Sequence, residues 1–279
     1  MGKDIVSQES KNPGNRSRIW SLEDSSQVFR YNKGTDLIEG MMMHLTKIED
    51  LKLLYPPSFE NMHNLRYIHF DVSLDVYWIM SNSNKKLLAN EGVDSVSLPD
   101  ELRYLCWMFY PFKSLSPSFN PRNLVVLILT FSDIKQLWNK ERSPGAINLR
   151  SLKCQMCDNL VELTCFSRLS SLETLDVLNC KKLRKISDLS GAINLKWLDC
   201  EGCVSLVELP CLSHLKCLKE LNLRECYKIK KFPELPRQDV FELDLSYTAI
   251  GEVPDSIHFM IMMLVKKNVL SCYSGIAQG

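Results

Sequence analysis

Leucine and a few apolar substitutes return along this chain at a nearly fixed interval. Nine-residue segments begin at Leu102, Leu124, Leu149, Leu172, Leu195, Leu218 and Val240, spaced by 22, 25, 23, 23, 23 and 22 residues. Each reads L-x-x-L-x-L-x-x-C, as in LRSLKCQMC from Leu149, with serine, threonine or tyrosine sometimes in the last place. A second apolar pair follows, for example Leu160 with Leu163, Leu183 with Ile186, Leu206 with Leu209, Ile229 with Phe232 and Ile250 with Val253. Side chains alternate across a strand, so positions four and six point inward, and positions five, seven and eight are expected to face solvent. A further start, LRYIHF at Leu65, precedes an irregular stretch of 37 residues.

This period and pattern are the signature of the leucine-rich repeat, a short strand and a return arm per turn. One such unit cannot bury its apolar face alone; stacked on its neighbours it shares a continuous core. The predicted fold is α/β: a curved leucine-rich-repeat solenoid with parallel strands on the concave face. Return segments such as VELPCLSHLKC lack a long helical stripe, which predicts short irregular or 3-10 return arms. Pro210, Pro233, Pro236 and Pro254 fall outside the strands, where a missing N–H costs little.

The flanks carry weaker patterns. Leu22, Val28 and Phe29 predict a short helix, ended by Gly34. Met41, Met43 and Leu45 alternate, so 38–45 is read as the strand that leads into the stack. Residues 71–97 break the rhythm and are read as an insertion within a repeat. The apolar run from Phe259 to Val265 is out of phase. The expected organisation is a non-repeat segment over 1–37, the lead-in strand and first irregular repeats over 38–97, regular repeats over 98–257, and a degraded or truncated end over 258–279.

Composition narrows the function. The chain has 279 residues, 45% hydrophobic and 24% charged, so a real core is within reach; 42 leucines supply it. A formal charge of +1 gives no global pull toward nucleic acid or anionic membrane. No unbroken apolar run exceeds seven residues, the length from Phe259 to Val265, too short for a bilayer that needs about 20. The first twenty residues hold no signal-peptide-like apolar stretch, and 11 cysteines, an odd number, argue against a disulfide framework. The expected location is cytoplasmic or nuclear.

Candidate chemistry is sparse. Cys154-x-x-Cys157 and Cys200-x-x-Cys203 resemble zinc-binding pairs, but the repeat phase argues otherwise. Cys157, Cys180, Cys203 and Cys226 all hold position nine, which predicts a buried ladder, one thiol per turn. Cys154 and Cys200 sit at position six and are expected to be small apolar fillers. No phosphate loop, H-E-x-x-H or G-x-S-x-G motif is present. His69 lies near Asp71, which could polarise it, but no nucleophile is evident beside it. No catalytic, cofactor or metal residue is therefore assigned, and no enzyme activity is expected. The outward positions read as a mixed polar face with a few apolar anchors, which suits a protein partner better than a polyanion. Met156, Glu201, Arg224 and Tyr247 are the candidate protein-binding residues of that ribbon.

Several segments carry a family resemblance. The stretch from Gly2 to Trp20 resembles the end of a winged-helix region, and Asn32 to Ile48 resembles a linker into repeats. Leu98 to Phe119 and Asn123 to Trp138 resemble a recognisable repeat pair, and LDLSYTAIGEVPDSI (Leu243 to Ile257) a common later repeat. Together they resemble the C-terminal part of plant intracellular disease-resistance proteins with a Toll/interleukin-receptor-like domain, a nucleotide-binding domain and leucine-rich repeats. His44 stands where that family usually has an acidic residue, and Ser116 replaces the usual proline after Leu115. The resemblance implies an effector-recognition and autoinhibitory module. Its partners would be a pathogen effector or a guarded host protein and, in an intact receptor, its own nucleotide-binding domain. The parent receptor would bind ADP or ATP and cleave NAD, but no segment here matches those sites. The alternative is a free-standing regulatory repeat protein, or a receptor fragment without function of its own, that binds a host protein.

Overall fold

The computed structural model describes residues 2–50, 59–82, 95–138, 145–164, 166–236 and 242–252. Val240, Val253, Pro254, the run from Phe259 to Val265 and part of the 71–97 insertion lie outside the described residues. The fold is a parallel β-solenoid of leucine-rich-repeat type, with its strands on the concave face. Ten strands form one sheet: β1 (Arg18–Ile19), β2 (Gly40–Leu45), β3 (Tyr67–Val72), β4 (Tyr104–Trp107), β5 (Val126–Ile128), β6 (Ser151–Lys153), β8 (Thr174–Asp176), β10 (Trp197–Asp199), β11 (Glu220–Asn222) and β12 (Glu242–Asp244). The two remaining strands, β7 (Glu162–Leu163) and β9 (Lys185–Ile186), pair with each other on the return side. From β4 onward each strand of the main sheet starts two residues after a repeat's first position, so every position three, four and five aligns with its counterpart. Leu105, Leu127, Leu152, Leu175, Leu198, Leu221 and Leu243 form one in-register row. That row is buried throughout, at no more than 3% exposure. The return arms between Gly145 and Pro236 hold turns and extended backbone, and no helix appears among their described residues.

The thiol ladder is built as the phase requires, and it also has a bonding role. Each position-nine cysteine donates its S–H to the position-six carbonyl of the preceding turn: Cys157 to Leu129 at 2.9 Å, Cys180 to Cys154 at 2.8 Å, Cys203 to Val177 at 3.1 Å and Cys226 to Cys200 at 3.1 Å. The accepting carbonyl of Val177 also takes the Cys180 N–H at 3.1 Å, so its two lone pairs are both used. Burial pushes the Cys226 thiol up to about 12, which suits a protonated donor.

The N-terminal flank departs from the reading in two places. The sheet starts one strand earlier than the lead-in strand, because Arg18 and Ile19 pair with Gly40 and Met41. Helix α2 (Leu22–Arg30), which follows α1 (Gly2–Glu9), is capped by the Ser21 hydroxyl accepting from the Asp24 N–H at 3.1 Å. It ends before Gly34: Tyr31 is its C-cap, and Asn32 takes the left-handed backbone at φ 47°. Gly34 serves packing instead, since a Cβ there would stand 2.3 Å from the Met62 Cε. Phe29 of α2 meets Phe59 and Phe70 edge-on, with ring centroids 5.6 and 6.4 Å away. Within the insertion, helix α3 (Leu74–Asn82) buries Val76 and Met80 and sets Tyr77 against Phe131 at 4.8 Å. No helix among the described residues is long and apolar enough to cross a membrane.

Candidate functional site

The ribbon's outward rows are positions three, five and seven, because they alternate with the buried four and six. Two local devices recur where the strands end. In four successive turns the position-five side chain accepts from the N–H two residues on: Asp176 to Leu178 at 3.2 Å, Asp199 to Glu201 at 2.9 Å, Asn222 to Arg224 at 3.1 Å and Asp244 to Ser246 at 2.9 Å. This is the Asx turn, available only to a short side chain with an acceptor oxygen. Position eight then adopts left-handed backbone in seven consecutive turns, at φ 57° for Phe109, 58° for Phe131, 55° for Met156, 57° for Asn179, 69° for Gly202 and 61° for both Glu225 and Tyr247. Position eight is thus the bend after the strand and not part of its alternation, which corrects the expectation of a uniformly solvent-facing position: Phe109 and Gly202 are buried there.

Three of the four candidate residues come together. The Arg224 guanidinium lies 3.8 Å from the Glu201 carboxylate, 3.6 Å from that of Glu225, and 5.6 Å from the centre of the Tyr247 ring. The Asn222 amide donates to Glu201 at 2.9 Å. Met156 stands apart, two turns before Glu201, half-buried in its own bend. Around the trio the ribbon is acidic. Glu201, Glu220, Asn222, Arg224, Glu242 and Asp244 line one shallow cavity of about 270 Å³. Asp199 shows the crowding: burial first, then Asp176, Glu201 and Glu220, push its carboxyl up to about 6.

Position three was missed as a ribbon row. It places Tyr67, Tyr104, Trp197, Glu220 and Glu242 on the concave face. The strand parity that puts position four inside already implies it. Tyr67 and Tyr104 stack at 4.6 Å with planes 15° apart, and His69 lies parallel to Tyr104 at 5.9 Å. The expected pairing of His69 with Asp71 is present, Nε2 to Oδ2 at 3.3 Å, and His44 occupies the other carboxylate oxygen through Nδ1 at 2.8 Å. The His69 Nδ1 faces the Tyr104 hydroxyl at 3.3 Å. Burial raises the Tyr104 phenol and pushes the neighbouring Cys106 thiol up to about 11, the opposite of what activates a nucleophile. The cluster is a packed polar plate on the ribbon.

No protein-family model matches the sequence. Curated relatives do. Disease resistance protein RPP2A of Arabidopsis thaliana is 35% identical over 188 residues, 67% of this chain and 13% of the relative. Disease resistance protein RPP2B of the same plant is 32% identical over 184 residues, 66% of this chain and 15% of the relative. Disease resistance protein RPS6, also from Arabidopsis thaliana, is 32% identical over 183 residues, again 66% of this chain and 15% of the relative. The chain therefore spans about a seventh of the length of these relatives.

Proposed function

The chain belongs to the leucine-rich-repeat proteins of plant disease resistance, and on that premise we propose that it is the recognition module of an immune receptor. It acts by binding protein rather than by catalysis. One observation carries this reading: an unbroken ten-stranded ribbon holds its backbone fixed while its outward rows present half-buried aromatic, imidazole and carboxylate groups. Rigid display of varied side chains is what a recognition surface needs, because little entropy is lost on binding. Holding a nucleotide-binding domain inactive is the second role of the same module. Both a pathogen effector and a guarded host protein fit as partners of the ribbon.

Proximity labelling in infected tissue tests the proposal, with the chain fused to a biotin ligase. The native chain is compared with a variant carrying Glu201→Lys, Arg224→Glu and Tyr247→Ala. A set of infection-dependent labelled proteins should vanish in the variant while background labelling stays. An unchanged set overturns the concave-face reading.

A further inference from the structure

The two ends of the concave face differ in chemistry, and the difference specifies what lies across them. Over β2–β5 the outward rows include Met42, Tyr67, Tyr104, Met108, Val126 and Ile128, all half-buried. The one carboxylate on those rows, Asp71, has both oxygens taken by His44 and His69. Over β10–β12 the outward rows and bends hold six carboxylates, Asp199, Glu201, Glu220, Glu225, Glu242 and Asp244. Arg224 is the one base among them, and Glu201 and Glu225 already flank it. The nearby lysines stand on the rim, where Lys196, Lys216 and Lys219 border a shallow cavity with Glu220 and Glu242; Lys196 is paired with Glu173 at 2.7 Å, and Lys219 precedes its strand. Six carboxylates against one base on those rows leave an excess of negative charge; a concavity focuses its field, which attracts cations.

We propose that the concave face binds one elongated polypeptide segment that is aliphatic or aromatic over β2–β5 and rich in lysine or arginine over β10–β12. This rests on the recognition-module reading above and gives its partner a chemistry. The parallel ladder runs without a break from β2 to β12, so a single segment can follow it. At the usual strand spacing that distance is about 38 Å, the reach of about 12 extended residues. The carboxylate crowd excludes a phosphate backbone on the same end. The plate at the other end, whose one carboxylate is already paired with two histidines, gives little reward to a wholly basic segment. Its stacked tyrosines and methionines favour apolar side chains.

The test is selection of a displayed library of random peptides, each about 16 residues so as to exceed that reach, on the whole 279-residue chain, followed by calorimetry with the synthesised winners. The expected winners carry an apolar or aromatic block and a basic block. Glu220→Lys with Glu242→Lys should weaken them about tenfold or more, most at low salt. Tyr104→Ala should weaken them several-fold with little salt dependence. Both variants are checked by thermal melts, and the charge reversal, made on surface positions, should melt like the native chain. Winners with acidic or uniformly apolar sequences overturn the proposal. So do winners indifferent to both variants, and so does a selection without enrichment. The two readings fail separately. Infection-dependent labelling that needs the concave face, together with acidic winners, sinks only the partner chemistry. Two-block winners with labelling that ignores the concave face sink only the immune reading.

Discussion

The two halves of the ribbon share one backbone and one hydrogen-bond ladder, yet their filling is opposite. Over β2–β5 the interior is aromatic. Trp107 packs edge-on against Phe59, Phe70, Tyr110 and Phe112, with centroids 4.9 to 6.3 Å away. Over β8–β12 the interior is leucine and cysteine in strict rows. The reason is spacing. The turns before Leu102 are irregular in length, so large rings fill gaps that regular rows would leave. After Leu149 the turns are nearly equal, and one small set of side chains repeats. The outward faces diverge as well, apolar and imidazole on one half, acidic on the other. Inward positions thus specify the stack and outward positions are free to differ.

The largest effect that separates the halves is truncation of the core. Trp107→Ala should cost about 3–5 kcal/mol and Leu198→Ala about 2–5 kcal/mol. The tryptophan N–H finds no hydrogen-bond partner among the described residues, so its contribution is packing alone, and Trp107→Phe should recover most of the loss. Urea melts of the three variants check this. A Trp107→Phe as damaged as Trp107→Ala would mean that the indole's polar atom matters. Leu198→Ala should also loosen the turns on either side, since repeats stabilise their neighbours.

Next in size is the thiol ladder, which belongs to the regular half. Cys203→Val keeps the volume but removes the donor to the Val177 carbonyl, and should cost about 1 kcal/mol. Cys203→Ser keeps a donor and should cost less. Ser132 already holds position nine in the turn from Leu124, where its hydroxyl accepts from the Tyr110 N–H at 3.1 Å. Equal stability of the valine variant and the native chain would reduce the ladder to a filler.

Legibility follows the same division. The strand starts after Leu102, the buried row and the cysteine ladder were readable because a period of about 23 residues repeats often enough to show its phase. Strand β1 was not, because two residues carry no period. The true end of α2 was missed since Asn32, not the more familiar glycine, supplies the left-handed turn. On the ribbon, the sequence points to Glu201, Arg224 and Tyr247, which the fold brings side by side, while Glu220, Glu242, Trp197 and the stacked tyrosines at position three escape it. Their acidity or aromaticity only adds up once strands from distant repeats are laid side by side.

A smaller effect tests the bend. At position eight an L-residue with φ near 60° carries a strain of about 1 kcal/mol that glycine escapes. Tyr247 is 49% exposed, so its ring contributes little to the core. Tyr247→Gly should melt higher than Tyr247→Ala by about 1 kcal/mol, and Tyr247→Ala should stay within about 0.5 kcal/mol of the native chain. In the opposite sense, Gly202→Ala should lose stability, because its φ is 69° and a Cβ would stand 2.1 Å from the Asn179 Oδ1. Identical melts for the glycine and alanine variants of Tyr247 would show that the bend is not strained.

The smallest effect is read through pH, and only the acidic half should show it. The Asp199 carboxyl is pushed from its ordinary 3.8 up to about 6, chiefly by burial and then by Asp176, Glu201 and Glu220. A raised acid is one whose charged form the fold disfavours. Between pH 4 and 6 the folded chain holds more of this proton than the unfolded chain does. Stability from this group therefore falls as pH rises through that window, and its cost is fully present at pH 7. Asp199→Asn removes the charge and keeps an Oδ1 for the Glu201 N–H, as Asn222 does for Arg224 in the next turn at 3.1 Å. The variant should melt above the native chain at pH 7, and the gap should close as pH falls toward 4. Carboxylates remote from Asp199 cancel in the difference between the two chains, which leaves Asp199 together with its coupling to Asp176, Glu201 and Glu220. Removing the charge should also weaken binding of a basic segment at pH 7, setting stability and recognition against each other at one residue. A gap that persists unchanged at pH 4 would assign the gain to the amide's own hydrogen bonds. No gap at pH 7 would mean that solvent screens the acidic half, and that its carboxylates do not strain one another.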